Sequence, residues 1–164
     1  MEIFDAIAKR ASVREYKSEP VDKALLEKLV DAGRRAPSAR KVEPWEFIVV
    51  TDKKALKELG RIANTGPFIK DAAACIVIYS SDTKYYLEDG VAATENVLIA
   101  ASGLGLGACW VAGDKKPYTS EVSALFGVPK ELKLISLIPI GWPLKEPCQE
   151  KRRGLGDVLH REKF

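Results

Sequence analysis

Apolar residues recur at helical spacing over residues 2–9, where Ile3, Phe4, Ile7 and Ala8 share a face, and predict a short opening helix. A second stripe of Leu25, Leu26, Leu29 and Val30 follows Pro20 and Asp22, a favoured N-cap type, and predicts a helix that Pro37 stops. "PWEFIVV" reads as a strand from its aromatic and β-branched residues, and "DKKALKELGRIA" returns to helical period through Leu56, Leu59 and Ile62. "ACIVIYS" is apolar without alternation, as in a strand covered on both faces. Residues 85–102, "YYLEDGVAATENVLIAAS", form the longest helical candidate. Its small and apolar residues surround the axis, which implies burial on several sides and, in a chain this short, a subunit partner. "ACWVAG" and "LISLIPIGWP" predict further strands, with a short helix near residues 119–126 between them. The last twenty residues lack a period and read as either a loose tail or an arm that packs elsewhere.

At 164 residues and 46% hydrophobic content the chain suffices for one core and is short for two, so one domain over residues 1–164 is expected. Its 26 basic and 23 acidic residues are interleaved, which gives no broad basic field for nucleic acid. Cys75, Cys109 and Cys148 are far apart and odd in number, which argues against a disulfide framework or zinc site and for a reducing, cytoplasmic setting. No apolar run is long enough to cross a bilayer, so no membrane partner is expected.

"RASVREY", residues 10–16, alternates Arg10, Ser12 and Arg14 with Ala11 and Val13. In an extended segment the first three project to one side as an anion cradle. On spacing alone a solvated basic turn is the better reading, and other basic elements change that balance. "APSARKVEPW" joins a helix to a strand through Ser38, Arg40 and Lys41, and "EKRRG" adds Lys151, Arg152 and Arg153. "GLGLGACW" is not a dinucleotide fingerprint, because its glycines follow a helix and precede a strand; they read as a helix end. The single histidine, His160, has no partner nearby, and no G-x-S-x-G elbow is present. A chain without its own nucleophile or acid-base pair points to a cofactor as the carrier of any chemistry.

Taken in order, "RASVREY", "APSARKVEPW", "DGVAATENVLIAASGLGLGACWVAG" and "GWP" with "EKRRGLGDVLH" resemble the nitroreductase family of FMN-dependent oxidoreductases. The resemblance implies an α+β sandwich, a central and mainly antiparallel sheet flanked by helices, in an intertwined homodimer with FMN at the interface. It implies that Arg10, Ser12 and Arg14 hold the FMN phosphate, with Lys151 and Arg153, or Arg152, closing over it, and that Ala11 among them is also cofactor-binding. Pro37, Ser38 and Ala39 would reach the flavin from the partner subunit. Trp110, Val111, Ala112 and Gly113 would lie beside the ring, with the N–H of Ala112 or Gly113 near flavin N5. Two positions depart from the pattern P-S-x-x-N-x-Q-P-W: Lys41 stands where many members carry Asn, and Glu43 where they carry Gln. Lys41 can still donate to a flavin carbonyl.

The implied activity is a two-stage exchange: NADH or NADPH passes hydride to flavin N5, and a nitroaromatic, quinone or similar small acceptor then takes it. Two alternatives stand beside it. One keeps fold and flavin for dehalogenation, dehydrogenation or flavin ring cleavage, and the other is a non-catalytic nucleotide-binding module.

Overall fold

The computed structural model describes residues 1–150 and 153–164. In chain order the elements are α1 (Ile3–Lys9), α2 (Lys23–Arg34), β1 (Trp45–Val50), α3 (Lys53–Ile62), β2 (Ala74–Ser81), α4 (Tyr86–Gly103), β3 (Gly107–Ala108), β4 (Val111–Ala112), α5 (Thr119–Leu125) and β5 (Leu132–Gly141). Short 3-10 turns lie at Ala39–Lys41, Pro67–Asp71 and Leu155–Asp157. Asp22 caps α2 as expected, its carboxylate accepting from the Ala24 N–H at 2.7 Å. The helix ends at Arg34, ahead of Pro37, because the residues before a proline already disfavour the helical region.

The sheet runs β1-β2-β5-β3, with β4 also on β5, and every pairing between its strands is antiparallel. β2 is covered on both faces, as its unbroken apolar run predicted. Ala74, Ile76 and Ile78 pack toward α2 and α4 with Leu29 and Val97, while Cys75, Val77 and Tyr79 pack toward α3 and α5 with Leu59 and Val122. "ACWVAG" is two short strands rather than one. Ala108 pairs with Ile140 and Val111 with Leu137, which sets Cys109 opposite Pro139, and proline has no N–H for the ladder.

β5 carries one extra residue. Ile78 pairs with Ser136 but Tyr79 pairs with Leu134, and Ile135 is the residue left over. Ile135 and Ser136 consequently both turn toward α4. Gly90 accepts Ile135 there, since a Cβ at Gly90 would lie 2.6 Å from Ile135 Cγ1. Thr94 donates to the Gly90 carbonyl at 2.8 Å, so the Ser136 hydroxyl, 2.8 Å away, donates to Thr94 and neither buried group is left unpaired.

α4 is buried or half-buried along its length except at Glu88, and Gly105 after it takes φ +76°. The start of the tail is an arm. Lys17 donates to the Trp142 carbonyl at 2.8 Å, Leu144 to that of Glu15 at 3.0 Å, and Gln149 to that of Arg10 at 2.6 Å. No helix among the described residues is long and apolar enough to cross a membrane.

The thiols differ sharply. Burial pushes Cys75 up to about 12 and also raises Cys109, whereas Cys148 is exposed. One thiol per chain should react rapidly with an aromatic disulfide at pH 8 in the native protein and three in denaturant; three fast thiols in the native protein would contradict this burial. The sign for stability follows. Above the ordinary thiol value of 9.0 the unfolded chain loses the Cys75 proton while the folded one keeps it, so this contribution falls as pH rises toward 12.

Candidate functional site

The segment 10–16 adds an edge to the sheet. Ser12 forms a parallel bridge with Ala108, and the Val13 N–H donates to the Ala108 carbonyl at 2.9 Å. Val13 lies on Gly107, where a Cβ would come within 2.7 Å of it, and the Tyr16 hydroxyl donates to the Val13 carbonyl at 2.7 Å. These contacts hold the alternation over four residues, Ala11 and Val13 half-buried and Ser12 and Arg14 exposed, whereas Arg10, expected on the side of Ser12 and Arg14, is half-buried.

Ser12, Arg14 and Lys145 line one recess of about 300 Å³ with Val13 and Glu15. The Arg14 guanidinium stands 5.7 Å from the centre of the Phe68 ring, which fixes its approach. Arg10 leans the other way, its Nε 3.4 Å from Glu95 on α4. Burial raises the pKa of the nearby Cys109 thiol, against the opposing pull of Arg14, a Ser12 hydrogen bond and Arg10. Arg153 donates within its own turn to the Asp157 carbonyl, and Lys151 and Arg152 lie outside the described residues. Lys145 lines the recess from the other side, its Nζ 3.5 Å from the Glu15 carboxylate.

The loop after α2 is built from unusual backbone. Arg40, Lys41 and Glu43 have φ of 57°, 56° and 50°, a region that costs a non-glycine residue about 1 kcal/mol or more. Two side chains hold it there. Asp89 of α4, 5% exposed, accepts from the Ala39 N–H at 2.9 Å, and Ser38 Oγ accepts from the Glu43 N–H at 3.0 Å. Pro37 and Lys41 are exposed, and Ser38 and Ala39 half-buried. Among the described residues no hydrogen bond or ion pair joins this loop to residues 10–14 or 110–113 of the same chain.

Along the third element Trp110 is half-buried, Val111 and Gly113 are buried, and Ala112 is exposed. Its peptides are pinned on every side. The Gly113 N–H donates to the Ile135 carbonyl at 2.9 Å, and the buried Tyr118 hydroxyl donates to the Ala112 carbonyl while Thr65 lies 3.0 Å behind it. Thr119 Oγ1 lies 3.0 Å from the Gly113 carbonyl and 2.7 Å from that of Lys116. By the alternation of an antiparallel ladder, the N–H of Ala112 points away from β5.

Sequence reasoning missed Asp89, Tyr118, Thr119 and Lys145. Asp89 left a trace, an acid inside a stretch of small apolar residues; the others left none, because their partners are brought close by folding.

A hydroxyl, a guanidinium and an ammonium around one recess form a donor set suited to a phosphate monoester, and the exposed edge at Ala112 is a flat backbone wall. These residues fit FMN in chemistry, with the phosphate end and the ring end served by separate elements.

A family model described as "Nitroreductase family" matches residues 7–86 and 63–142. Two similar proteins share the name "Putative NADH dehydrogenase/NAD(P)H nitroreductase". One, from Archaeoglobus fulgidus, is 32% identical over 99% of this chain and 99% of its own length. The other, from Parabacteroides distasonis, is known from a crystal structure that superposes with a TM-score of 0.92 at 32% identity, covering 99% of this chain and 98% of that one. An FMN-dependent nitroreductase from Clostridium difficile gives a TM-score of 0.90 at 29% identity, over 98% of this chain and 99% of its own. The chain belongs to the nitroreductase family and is an enzyme of its flavin and NAD(P)H oxidoreductase class.

Proposed function

We propose that this chain binds FMN and uses NAD(P)H to reduce small acceptors of the nitroaromatic or quinone kind, as a homodimer whose two sites each draw on both subunits. The observation that carries the reading is the shared recess of Ser12, Arg14 and Lys145 at the sheet edge. Bound FMN supplies the hydride relay between the reduced nicotinamide and the acceptor.

The chain's own groups bind and orient. Ser12 and Arg14 hold the phosphate with Lys145, and Arg10 adds positive charge from its place against Glu95. Of the two N–H groups considered for flavin N5, that of Gly113 already donates to Ile135, so the N–H of Ala112, aimed out of the sheet, takes the role. The Val111 carbonyl, on the same peptide unit as that N–H, faces Leu137 across the ladder, and Tyr118 and Thr119 hold the next two carbonyls, those of Ala112 and Gly113, so the backbone around the N–H is fixed before a flavin would bind.

The loop at Pro37, Ser38, Ala39 and Lys41 reaches the flavin of the second copy, which gives a purpose to strained backbone that no hydrogen bond or ion pair among the described residues ties to residues 10–14 of its own chain. α1 supports the dimer: Ile3, Phe4 and Ile7 are 57%, 81% and 45% exposed, an apolar stripe with nothing over it in one chain.

The test is an absorption spectrum of the purified protein, followed anaerobically. The expected result is a yellow dimer whose visible band NADH or NADPH bleaches and a quinone restores. A colourless monomer that gains no flavin band with added FMN sinks the reading, and a band that neither nucleotide bleaches removes the reductase part of it.

A further inference from the structure

Directly beyond Gly113 the chain opens a second cavity, of about 910 Å³, between the turn at residues 114–117, α5 and the start of β5. Its lining is strongly one-signed: Lys115, Lys116, Lys130 and Lys133 against Asp114. Two of the lysines are already committed. Lys133 pairs with Asp82 at 3.3 Å, and Lys115 stands 3.8 Å from Asp114, whose other oxygen accepts from the Tyr86 hydroxyl. Among the described residues, Lys116 and Lys130 have no carboxylate partner, which leaves two positive charges facing one cavity. The turn that presents Lys116 is fixed, its N–H donating to the Gly113 carbonyl at 3.3 Å and its carbonyl held by Thr119.

We propose that this cavity receives the phosphate-bearing end of the reducing nucleotide, with Lys116 and Lys130 binding a phosphomonoester on its adenosine ribose, so that NADPH is preferred to NADH. The inference rests on the reading that Ala112 lies beside the flavin, since the cavity begins one residue past Gly113. Two unpaired ammonium groups match the roughly two negative charges of a phosphomonoester near neutral pH better than the single charge of a carboxylate. Lysine serves there as a point charge, which suits a phosphate arriving on a flexible substrate. The phosphate is distinct from that of FMN, which the recess at Ser12 and Arg14 serves.

The experiment has two arms on the purified protein as isolated. In the first, calorimetry compares 2′,5′-ADP with 5′-AMP, a readout that needs no turnover. The native protein should bind 2′,5′-ADP more tightly, and Lys116→Gln or Lys130→Gln should each weaken it about tenfold. In the second, kcat/KM is compared for NADPH and NADH, and for an anionic nitrobenzoate and its neutral amide as acceptors. The ratio of NADPH to NADH should fall about tenfold in either variant while the nitrobenzoate to amide ratio holds. Equal binding of the two adenosine phosphates, or an unchanged NADPH to NADH ratio in both variants, overturns the proposal. A nitrobenzoate ratio that falls in place of the NADPH ratio also overturns it and assigns the cavity to the acceptor. Failure of the flavin reading shows separately, as a protein that binds no FMN, and leaves the calorimetric arm to decide.

Discussion

Arg14→Ala is expected to weaken FMN retention by roughly tenfold to a hundredfold, the worth of a charge-assisted hydrogen bond of about 1.5–3 kcal/mol, with the thermal midpoint of the flavin-free protein little changed. Arg14 is exposed, and its contacts with the Phe68 ring and, at 3.4 Å, with the exposed Ser12 carbonyl leave no buried group unpaired when it is removed. Arg10→Ala should cost less, because Glu95 already draws that guanidinium toward α4. Arg14→Lys keeps the charge but loses the fork, and should fall between. Equilibrium dialysis against FMN reads the order. Retention equal in Arg14→Ala and the parent would remove the phosphate from this recess, even with fold and family intact.

Gly113→Ala is expected to destabilise the protein by about 2–3 kcal/mol, which for a chain of this size lowers the thermal midpoint by roughly 5–10 °C. The new Cβ would lie 2.6 Å from Leu134 Cγ and 2.9 Å from both the carbonyl carbon and oxygen of Ile135. Those last two atoms are backbone, already tied to the Gly113 N–H, and have little room to retreat. Gly90→Ala is the comparison: the three atoms nearest its Cβ all belong to the Ile135 side chain, which can shift, so its loss should be smaller. Scanning calorimetry of the two variants distinguishes them. An undisturbed midpoint in Gly113→Ala would show that β4 can move off β5, and with it the wall on which the Ala112 peptide depends.

The helices and the two long inner strands were legible because each carries its own period or its own unbroken apolar run: Leu56, Leu59 and Ile62 for α3, Ala74–Ser80 for β2. The middle of the segment 10–16 was legible for the same reason, an alternation of half-buried Ala11 and Val13 with exposed Ser12 and Arg14, but Arg10 was not, because Glu95 on α4 draws it aside. What escaped depends on partners far away in sequence. The break between β3 and β4 is caused by Pro139, thirty residues on, and nothing within "ACWVAG" announces it. Lys145 lines the recess of Ser12 and Arg14 because the arm after β5 hydrogen-bonds back along Glu15 and Lys17. The left-handed backbone at Arg40, Lys41 and Glu43 was hidden by residue type, since none is a glycine or asparagine.

The extra residue at Ile135 works like a frameshift in a message. Residues before it are read by the sheet in one phase and those after it in the other, so that Leu134 and Leu137 reach the α3 and α5 side while Ile135, Ile138 and Ile140 reach the α2 and α4 side. Substitutions along β5 can therefore be absorbed one at a time. A gain or loss of a single residue between Leu134 and Leu137 cannot, because it would exchange the two cores' claims on every later position and carry off the carbonyl that anchors Gly113.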